Sequence, residues 1–361
     1  MLTMGVEEEF LLLDQDGAVA PVAEEAVRRG GADDGELQPE FMSYQLETAT
    51  PVCRSLDELH AHLSRLRRLA ARGADQAGAR LVSVGVPPFH SGGYDQVSAQ
   101  PRYLELARRY PFGPRMGAAC ACQVHVGVPD PDLRVQVLAG LRPWLPTLLA
   151  LTANSVISHG ADTGWSSDRY RSLLKWPSFR PPRQWRGQRG YDRAVQRLID
   201  RGAAMDPGSV YLLARLSARY PTVEVRVADA CLTVDDTVLL AALVRGLVTT
   251  IVEEQHQRPE PQPKPKPKLD EPGATVQSGL LHAAHYGLDA GGKQVALDRL
   301  FAHISPTLST DERRDVERRL DVVRREGNGA DRQRELWAST GRPSEFVEAL
   351  ADQALPADIA A

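Results

Sequence analysis

Three stretches of the chain alternate in character with a period of two, as a β-strand does when its faces differ. They are Gly5-Val6-Glu7-Glu8-Glu9-Phe10, Gln123-Val124-His125-Val126-Gly127 and Thr222-Val223-Glu224-Val225-Arg226-Val227. Residues two apart share a face, so Glu7 falls with Glu9, Gln123 with His125, and Glu224 with Arg226. Glu8 instead shares a face with Val6, Phe10 and Leu12, and periodicity alone does not say which face of that strand is wet.

Helical spacing governs much of the rest. Ser55-Leu56-Asp57-Glu58 is a capping-box signature, and Leu56, Leu59, Leu63, Leu66 and Leu69 recur at three- and four-residue intervals, which predicts a helix from about 56 to 78. Leu81 to Val86 reads as a strand closed by Pro87-Pro88. The stretch 131 to 154 is apolar at helical spacing, with Pro143 and Pro146 interrupting or offsetting it. Asp235 or Asp236 is placed to cap a helix through Val238, Leu239, Ala242, Leu243 and Leu247. From about 295 the chain is helical, broken at Gly327-Asn328-Gly329 before Ala330-Asp331-Arg332-Gln333 opens another segment. Helix and strand alternate without βαβ regularity, which predicts an α+β fold.

One segment, residues 259 to 268, alternates proline with Glu, Gln and Lys. It forbids helix and ladder bonding, favours polyproline II and reads as a solvated surface loop within about 257 to 272. No internal repeat is visible.

Composition narrows the classes. A chain of 361 residues with 42% hydrophobic content can bury a substantial core, and a formal net charge of -4 offers no global basic field for nucleic acid. The arginines of Arg65 to Arg72 alternate with leucine and read as a solvated helix face. Cys53, Cys120, Cys122 and Cys231 lack paired C-x-x-C zinc spacing; Cys120 and Cys122 are expected to share a strand face as buried thiols. Without a signal-peptide pattern or an apolar run of about twenty residues, the expectation is a soluble cytoplasmic protein with no membrane partner. No P-loop and no His-Glu-x-x-His helix occur.

Carboxylates gathered on a sheet repel one another unless a cation neutralises them. Hard carboxylate oxygens with one imidazole suit Mg²⁺ or Mn²⁺ better than Zn²⁺. Any one of the three strands alone also fits the solvated face of an antiparallel sheet; the three together point to a metal–phosphate complex.

Met4-Gly5-Val6-Glu7-Glu8-Glu9-Phe10-Leu11-Leu12, Gln123-Val124-His125-Val126-Gly127-Val128-Pro129-Asp130, Leu141-Arg142-Pro143-Trp144-Leu145-Pro146, Ala153-Asn154-Ser155, Asp162-Thr163-Gly164 and Tyr220-Pro221-Thr222-Val223-Glu224-Val225-Arg226-Val227-Ala228-Asp229-Ala230 occur in this order in a known family. From about residue 4 to about 350 the chain resembles the bacterial carboxylate-amine ligases of the glutamate–cysteine ligase type 2 family. The resemblance implies a single catalytic domain over 1 to 361, with a curved, mainly antiparallel sheet and helices on its outer face, like glutamine synthetase and the guanido kinases. It implies an ATP- and Mg²⁺-dependent (or Mn²⁺-dependent) ligase, activating a carboxylate as an acyl phosphate for attack by an amine, with glutamate and cysteine as the family default. A specialised ligase for another acid or amine is the nearest alternative, and a non-catalytic nucleotide- or amino-acid-binding regulator is the rival of another class. Small-molecule acids and amines are the expected partners, and homo-oligomerisation is left open.

By the same resemblance Glu7, Glu9, Glu47, His125 and Glu224 match metal ligands, and Arg226 matches an arginine that contacts the transferring phosphoryl group, a role that its fixed fork suits. Arg226 paired to Glu224 as structure alone is the other reading of that strand. Arg169 matches a residue holding the substrate carboxylate, and Asn154 one that orients its loop. The chain also departs from the family. Gln123 stands where a second histidine is common, Asp168 where a tyrosine is usual. Leu281-His282-Ala283-Ala284-His285-Tyr286-Gly287 replaces a run with two arginines, so His282 and His285 bring imidazoles where the family has guanidiniums. These changes imply an altered substrate or a weakened nucleotide contact.

Overall fold

The first alternating stretch lies within a ten-residue strand, β1 (Met4–Leu13), on which the main sheet is assembled. The computed structural model describes residues 2–33, 35–90, 92–257, 273–288 and 293–356. The other strands are β2 (Leu37–Pro39), β3 (Gln45–Ala49), β4 (Arg80–Val82), β5 (Cys122–Gly127), β6 (Ile157–Ser158), β7 (Ala161–Asp162), β8 (Ala214–Leu216) and β9 (Thr222–Val225). The sheet runs β2-β3-β1-β5-β9-β8, with β4 also on β1, and every pairing is antiparallel. β6 and β7 form a separate hairpin. The α+β expectation is met.

Register turns the sequence pairs into one polar row. Gln38 lies opposite Glu47, Glu47 opposite Glu9, Glu7 opposite Gln123, His125 opposite Glu224, and Glu224 opposite Arg215. The alternate residues Val6, Val124, Val126, Val223 and Val225 point the other way. They are buried in one apolar cluster with leucines and valines of the helices Leu56–Gln76 and Val234–His256. A sheet wet on one face and covered by helices on the other accounts for the alternation.

Glu8 falls on the covered face. It is 1% exposed and meets Arg67, itself 0% exposed, with Oε1 2.6 Å from Nη2 and Oε2 3.1 Å from Nε. Arg67 also donates to the carbonyls of Cys231, Leu232 and Ala354, tying β1, the helix Leu56–Gln76 and the C-terminal helix Pro343–Ala354 together. The Arg65 to Arg72 run is therefore not wholly a solvated face: the ion pair with Glu8 draws Arg67 into the core.

Other boundaries moved for local reasons. The strand expected over 81 to 86 stops at Val82, because Gly85 turns its N–H to Asn154 and its carbonyl to Cys120. Thr233, rather than Asp235 or Asp236, caps the long helix; its hydroxyl accepts from Asp236 N–H while the Asp236 carboxylate accepts from Thr233 N–H. Pro143 and Pro146 each fall in the first turn of a new element, where a missing N–H costs nothing, so 131 to 154 divides into Pro131–Leu141, a turn and Leu145–Thr152.

Cys120 precedes the ladder of β5. It lies on the acidic side, where its Sγ accepts from Gln45, whereas Cys122 sits opposite Glu8 beside Cys231, so the two thiols are buried but share no face. The helices Lys293–Ile304, Thr310–Glu326, Gly329–Ser339 and Pro343–Ala354 bear out the helical tail, and Gly327, at φ 73, makes the expected break. The proline-rich stretch 259 to 268 lies outside the described residues. Among the described residues no helix is long and apolar enough to cross a membrane.

Candidate active site

The polar row floors an open cleft with room for about 470 Å³. Within it, one ligand atom each from Glu7, His125 and Glu224 lie within 4.8 Å of one another. His125 Nδ1 is 3.0 Å from Thr222 Oγ1. Assigning the ring proton to Nδ1, where Thr222 accepts it, leaves the Nε2 lone pair 3.4 Å from Glu7 Oε1 and 4.0 Å from Glu224 Oε2. Nε2 is buried without a hydrogen-bond partner. Three acceptors converging with no donor among them is an arrangement that a cation completes.

A second group, Glu9, Glu40 and Glu47, also lies within 4.8 Å. Burial, then the charges of Glu7 and Glu9, push the Glu47 carboxyl up to about 8. Burial and the neighbouring Glu47 raise Glu40 well above the usual carboxylate range, and burial raises Glu9 against the pull of Arg169 and Arg226. Burial and mutual repulsion raise these carboxyls, and a divalent ion relieves both. The donor sets of both groups thus fit hard divalent cations. Glu224 behaves oppositely: burial pushes it up, but Arg226 and Arg215 outweigh burial and hold it at about 2.

Arg226 follows β9 and lines the cleft. Its Nη1 donates to Glu224 and to the amide oxygen of Gln123, so Arg226 is clasped to Glu224 despite the i, i+2 spacing. Gln123 in turn donates to Glu9 Oε1 at 2.7 Å, bridging Arg226 and the second acidic group. Arg215 holds the other oxygen of Glu224, Nε to Oε2 at 2.9 Å. The carboxylate is thereby fixed between two guanidiniums.

Behind this row lies a smaller inner cavity, whose wall includes Glu9, Glu40, Arg169 and Arg226. Arg169 is 4% exposed, with Nη1 3.5 Å from Asp229 Oδ1. Asp229 is fixed by Ser155, Ser167 and the N–H of Asn154. Asn154 does not line either cavity; its amide donates to the carbonyls of Ser83 and Ala230, and the turn before Arg169 is held instead by Ser155, whose N–H donates to the Ser166 carbonyl and whose hydroxyl accepts from Arg169 N–H.

Glu7, Glu9, Glu47, Gln123, His125, Glu224, Arg226 and Arg169 are thus brought to one place, with Asn154 behind them. His282 and His285 lie on the helix Gly273–Tyr286, packed on Tyr286 and, for His285, on Trp165, and they line neither cavity. Sequence reasoning missed Glu40 and Arg215. Gln38 and Glu40 are two apart beside β2, a signal too short to read, and Arg215 sits in a three-residue strand with no alternation to betray it.

The family model described as glutamate-cysteine ligase family 2 matches residues 3–352. A relative in Salinispora arenicola, named "Putative glutamate--cysteine ligase 2", is 43% identical over 350 residues, covering 93% of this chain and 90% of the relative. A similarly named relative in Mycobacterium sp. (strain KMS) is 40% identical, with 98% of each chain covered. Among solved structures, the glutamate–cysteine ligase of Francisella tularensis in complex with AMP superposes with a TM-score of 0.67 at 13% identity, covering 98% of this chain and 88% of that one. A bifunctional glutathione synthetase from Pasteurella multocida gives 0.67 at 14% identity, covering 98% of this chain and 52% of the other. The chain spans about half the length of that bifunctional enzyme, and at such identities the likeness shows the fold alone.

Proposed function

Since the chain belongs to the glutamate–cysteine ligase family 2, we propose that it is an ATP-dependent carboxylate-amine ligase working through an acyl phosphate at the acidic row. One observation carries the reading: two carboxylate-rich groups flank an arginine held in place by Glu224 and Gln123, where the cleft adjoins the inner cavity. Glu7, His125 and Glu224 would hold one divalent cation and Glu9, Glu40 and Glu47 another. Bound there, Mg²⁺ or Mn²⁺ would neutralise the phosphate oxygens of ATP.

The chain's own residues supply the rest. A carboxylate oxygen of the acid attacks the γ-phosphorus and ADP leaves; the amine nitrogen then attacks the acyl carbon, phosphate leaves, and the nitrogen gives up a proton. Arg226 offers a fixed positive charge to the moving phosphoryl group, already desolvated and oriented before reaction. Arg215 keeps Glu224 ionised and still. Asp229, anchored by Asn154, steadies Arg169, which we assign to a substrate carboxylate. We place the reaction in the cytoplasm, where ATP is supplied.

The test is ADP release by the purified chain with ATP and Mg²⁺ across a panel of single amino acids and amines, the amide being identified by mass spectrometry. Turnover only with an acid and an amine together supports the ligase. ATP binding with no turnover for any pair would favour the non-catalytic regulator.

A further inference from the structure

Residues 180 to 201 carry seven arginines and only two acids, Asp192 and Asp200, in a chain whose formal net charge is -4. Most of this segment is the helix Gly187–Asp200. Tyr191, Val195, Leu198 and Ile199 fall on one side of it and pack on the core. Arg189, Arg193 and Arg197 fall on the other, continued by Arg186 before the helix and Arg201 after it, and all five are exposed.

Exposed arginines on other helices meet a carboxylate three residues away, as Arg108 meets Glu105, Arg318 meets Asp315 and Arg342 meets Glu345. Here the nearby acids are turned to other partners. Asp192 accepts from the Gln188 amide at 2.6 Å, Asp200 from the Gln196 amide at 2.8 Å, and Asp132 of the helix Pro131–Leu141 from the Gln188 N–H at 2.7 Å. Among the described residues none of the five guanidiniums forms an ion pair. Like charges four residues apart on a helix destabilise it, so the free chain bears a cost that an anionic partner removes.

The helix stands at the edge of the main sheet. Tyr191 Oη accepts from the N–H of Leu216 at 3.2 Å, on β8, the last strand of the sheet order. Beyond the helix the chain leads to Asp206 and Gly208, which line the outer cleft together with the exposed Arg219.

We propose that this arginine row docks an acidic polypeptide segment beside the cleft. Arginines four residues apart advance about 6 Å per step, and alternate side chains of an extended strand lie about 6.8 Å apart, so carboxylates on one face of an extended peptide meet successive guanidiniums. The planar fork of arginine suits a carboxylate better than lysine does. Nucleic acid fits less well, because single strands are held on rings that stack with bases. The two aromatic residues of the segment, Trp185 and Tyr191, are turned on each other edge-on at 5.1 Å, with Tyr191 buried. A bilayer fits no better, because the apolar side of the helix is taken up by the core. The docking does not depend on the ligase reading and uses none of the residues assigned to cations or to phosphoryl transfer.

Fluorescence anisotropy of the full chain tests this with labelled peptides of about ten residues, which outreach a helix of roughly 21 Å. One alternates glutamate with serine and the other glutamine with serine; oligouridine and vesicles of phosphatidylcholine with phosphatidylserine are the competing ligands. Divalent cations are left out, so that no metal bridges a peptide carboxylate to the cleft. The glutamate peptide should bind at least about tenfold more tightly than the glutamine peptide at about 50 mM salt and lose most of that margin at about 300 mM. Arg189→Gln, Arg193→Gln and Arg197→Gln together should weaken it by about tenfold. Removing equal charge through Arg314→Gln, Arg318→Gln and Arg325→Gln on the helix Thr310–Glu326 should leave it within about twofold. Circular dichroism checks that both variants keep the native fold. Equal binding of the two peptides, undiminished binding by the first variant, or equal loss in both variants overturns the proposal. So does binding of oligouridine or vesicles that exceeds peptide binding and vanishes with the arginines.

Discussion

Replacing Arg226 by lysine keeps a positive charge at the junction of the cleft and the inner cavity and removes only the fork. In the native chain Nη1 is shared by Glu224 and Gln123, and Gln123 is held from its other side by Glu9 at 2.7 Å. A lysine ammonium is a single point at the end of a flexible stem; it satisfies Glu224 or reaches the phosphoryl group, and does not hold both in a fixed plane. The residue is half-buried, with 15% of the side chain exposed, so water repairs little of the loss. Removal of one preorganised charge stabiliser costs about 2.7–4 kcal/mol, and kcat should fall by about 100- to 1,000-fold. The assay is coupled ADP release at saturating ATP and substrates, with KM for ATP and the thermal midpoint measured beside it. KM should change by less than about threefold if the interaction is made chiefly in the transition state. A variant with wild-type kcat would refute the role of Arg226.

Glu224→Gln should weaken the affinity for Mn²⁺ before it lowers kcat at saturating metal, because the neutral amide still accepts from Arg215; an unchanged Mn²⁺ titration would remove Glu224 from the ligand set. A carboxyl raised from 4.5 to about 8 keeps its proton in the folded chain and loses it in the unfolded one, so Glu47 makes the metal-free protein lose stability as pH rises through that window. Denaturant midpoints without divalent cation should therefore fall from pH 5 to pH 8 more steeply in wild type than in Glu47→Gln, and Mg²⁺ should raise the midpoint more at pH 8 than at pH 6; parallel slopes would count against it. Arg67→Met leaves the Glu8 carboxylate buried without its partner and should cost about 3–5 kcal/mol by urea denaturation, with part of the loss recovered in the double variant Glu8→Gln, Arg67→Met. Loss below about 1 kcal/mol would show that the pair is solvated.

Alternation alone showed which polar side chains of the three strands share a face, because a sheet with one dry face prints its pattern on its longer strands, while Glu47, Arg169 and every role came from the resemblance. Val124 and Val126 had to face the helices, which left Gln123 and His125 on the other side, and the same logic fixed Glu224 between Val223 and Val225. Where a strand is buried on both sides the pattern is silent, and Glu8 is such a case: only the arrival of Arg67, fifty-nine residues later, says why a carboxylate lies in the core. Glu40 escaped because it follows a strand of three residues and Arg215 because it lies within one, both too short for a period to show. The inner cavity has no sequence signature at all. Phe41, Tyr211 and the pair Trp176 and Phe179 come from three separate loops, and only the folded chain brings them against Arg169.

Activation of a carboxylate by phosphorylation is the central step of the proposed reaction, and oxygen labelling follows that event directly. The chain is incubated with ATP, Mg²⁺, an amine and an acid carrying ¹⁸O in both carboxylate oxygens, and the products are resolved by mass spectrometry. An acyl phosphate predicts ADP, one ¹⁸O delivered to inorganic phosphate and one retained in the amide. Formation of AMP with ¹⁸O in its phosphate, or an amide formed while inorganic phosphate stays unlabelled, would contradict it.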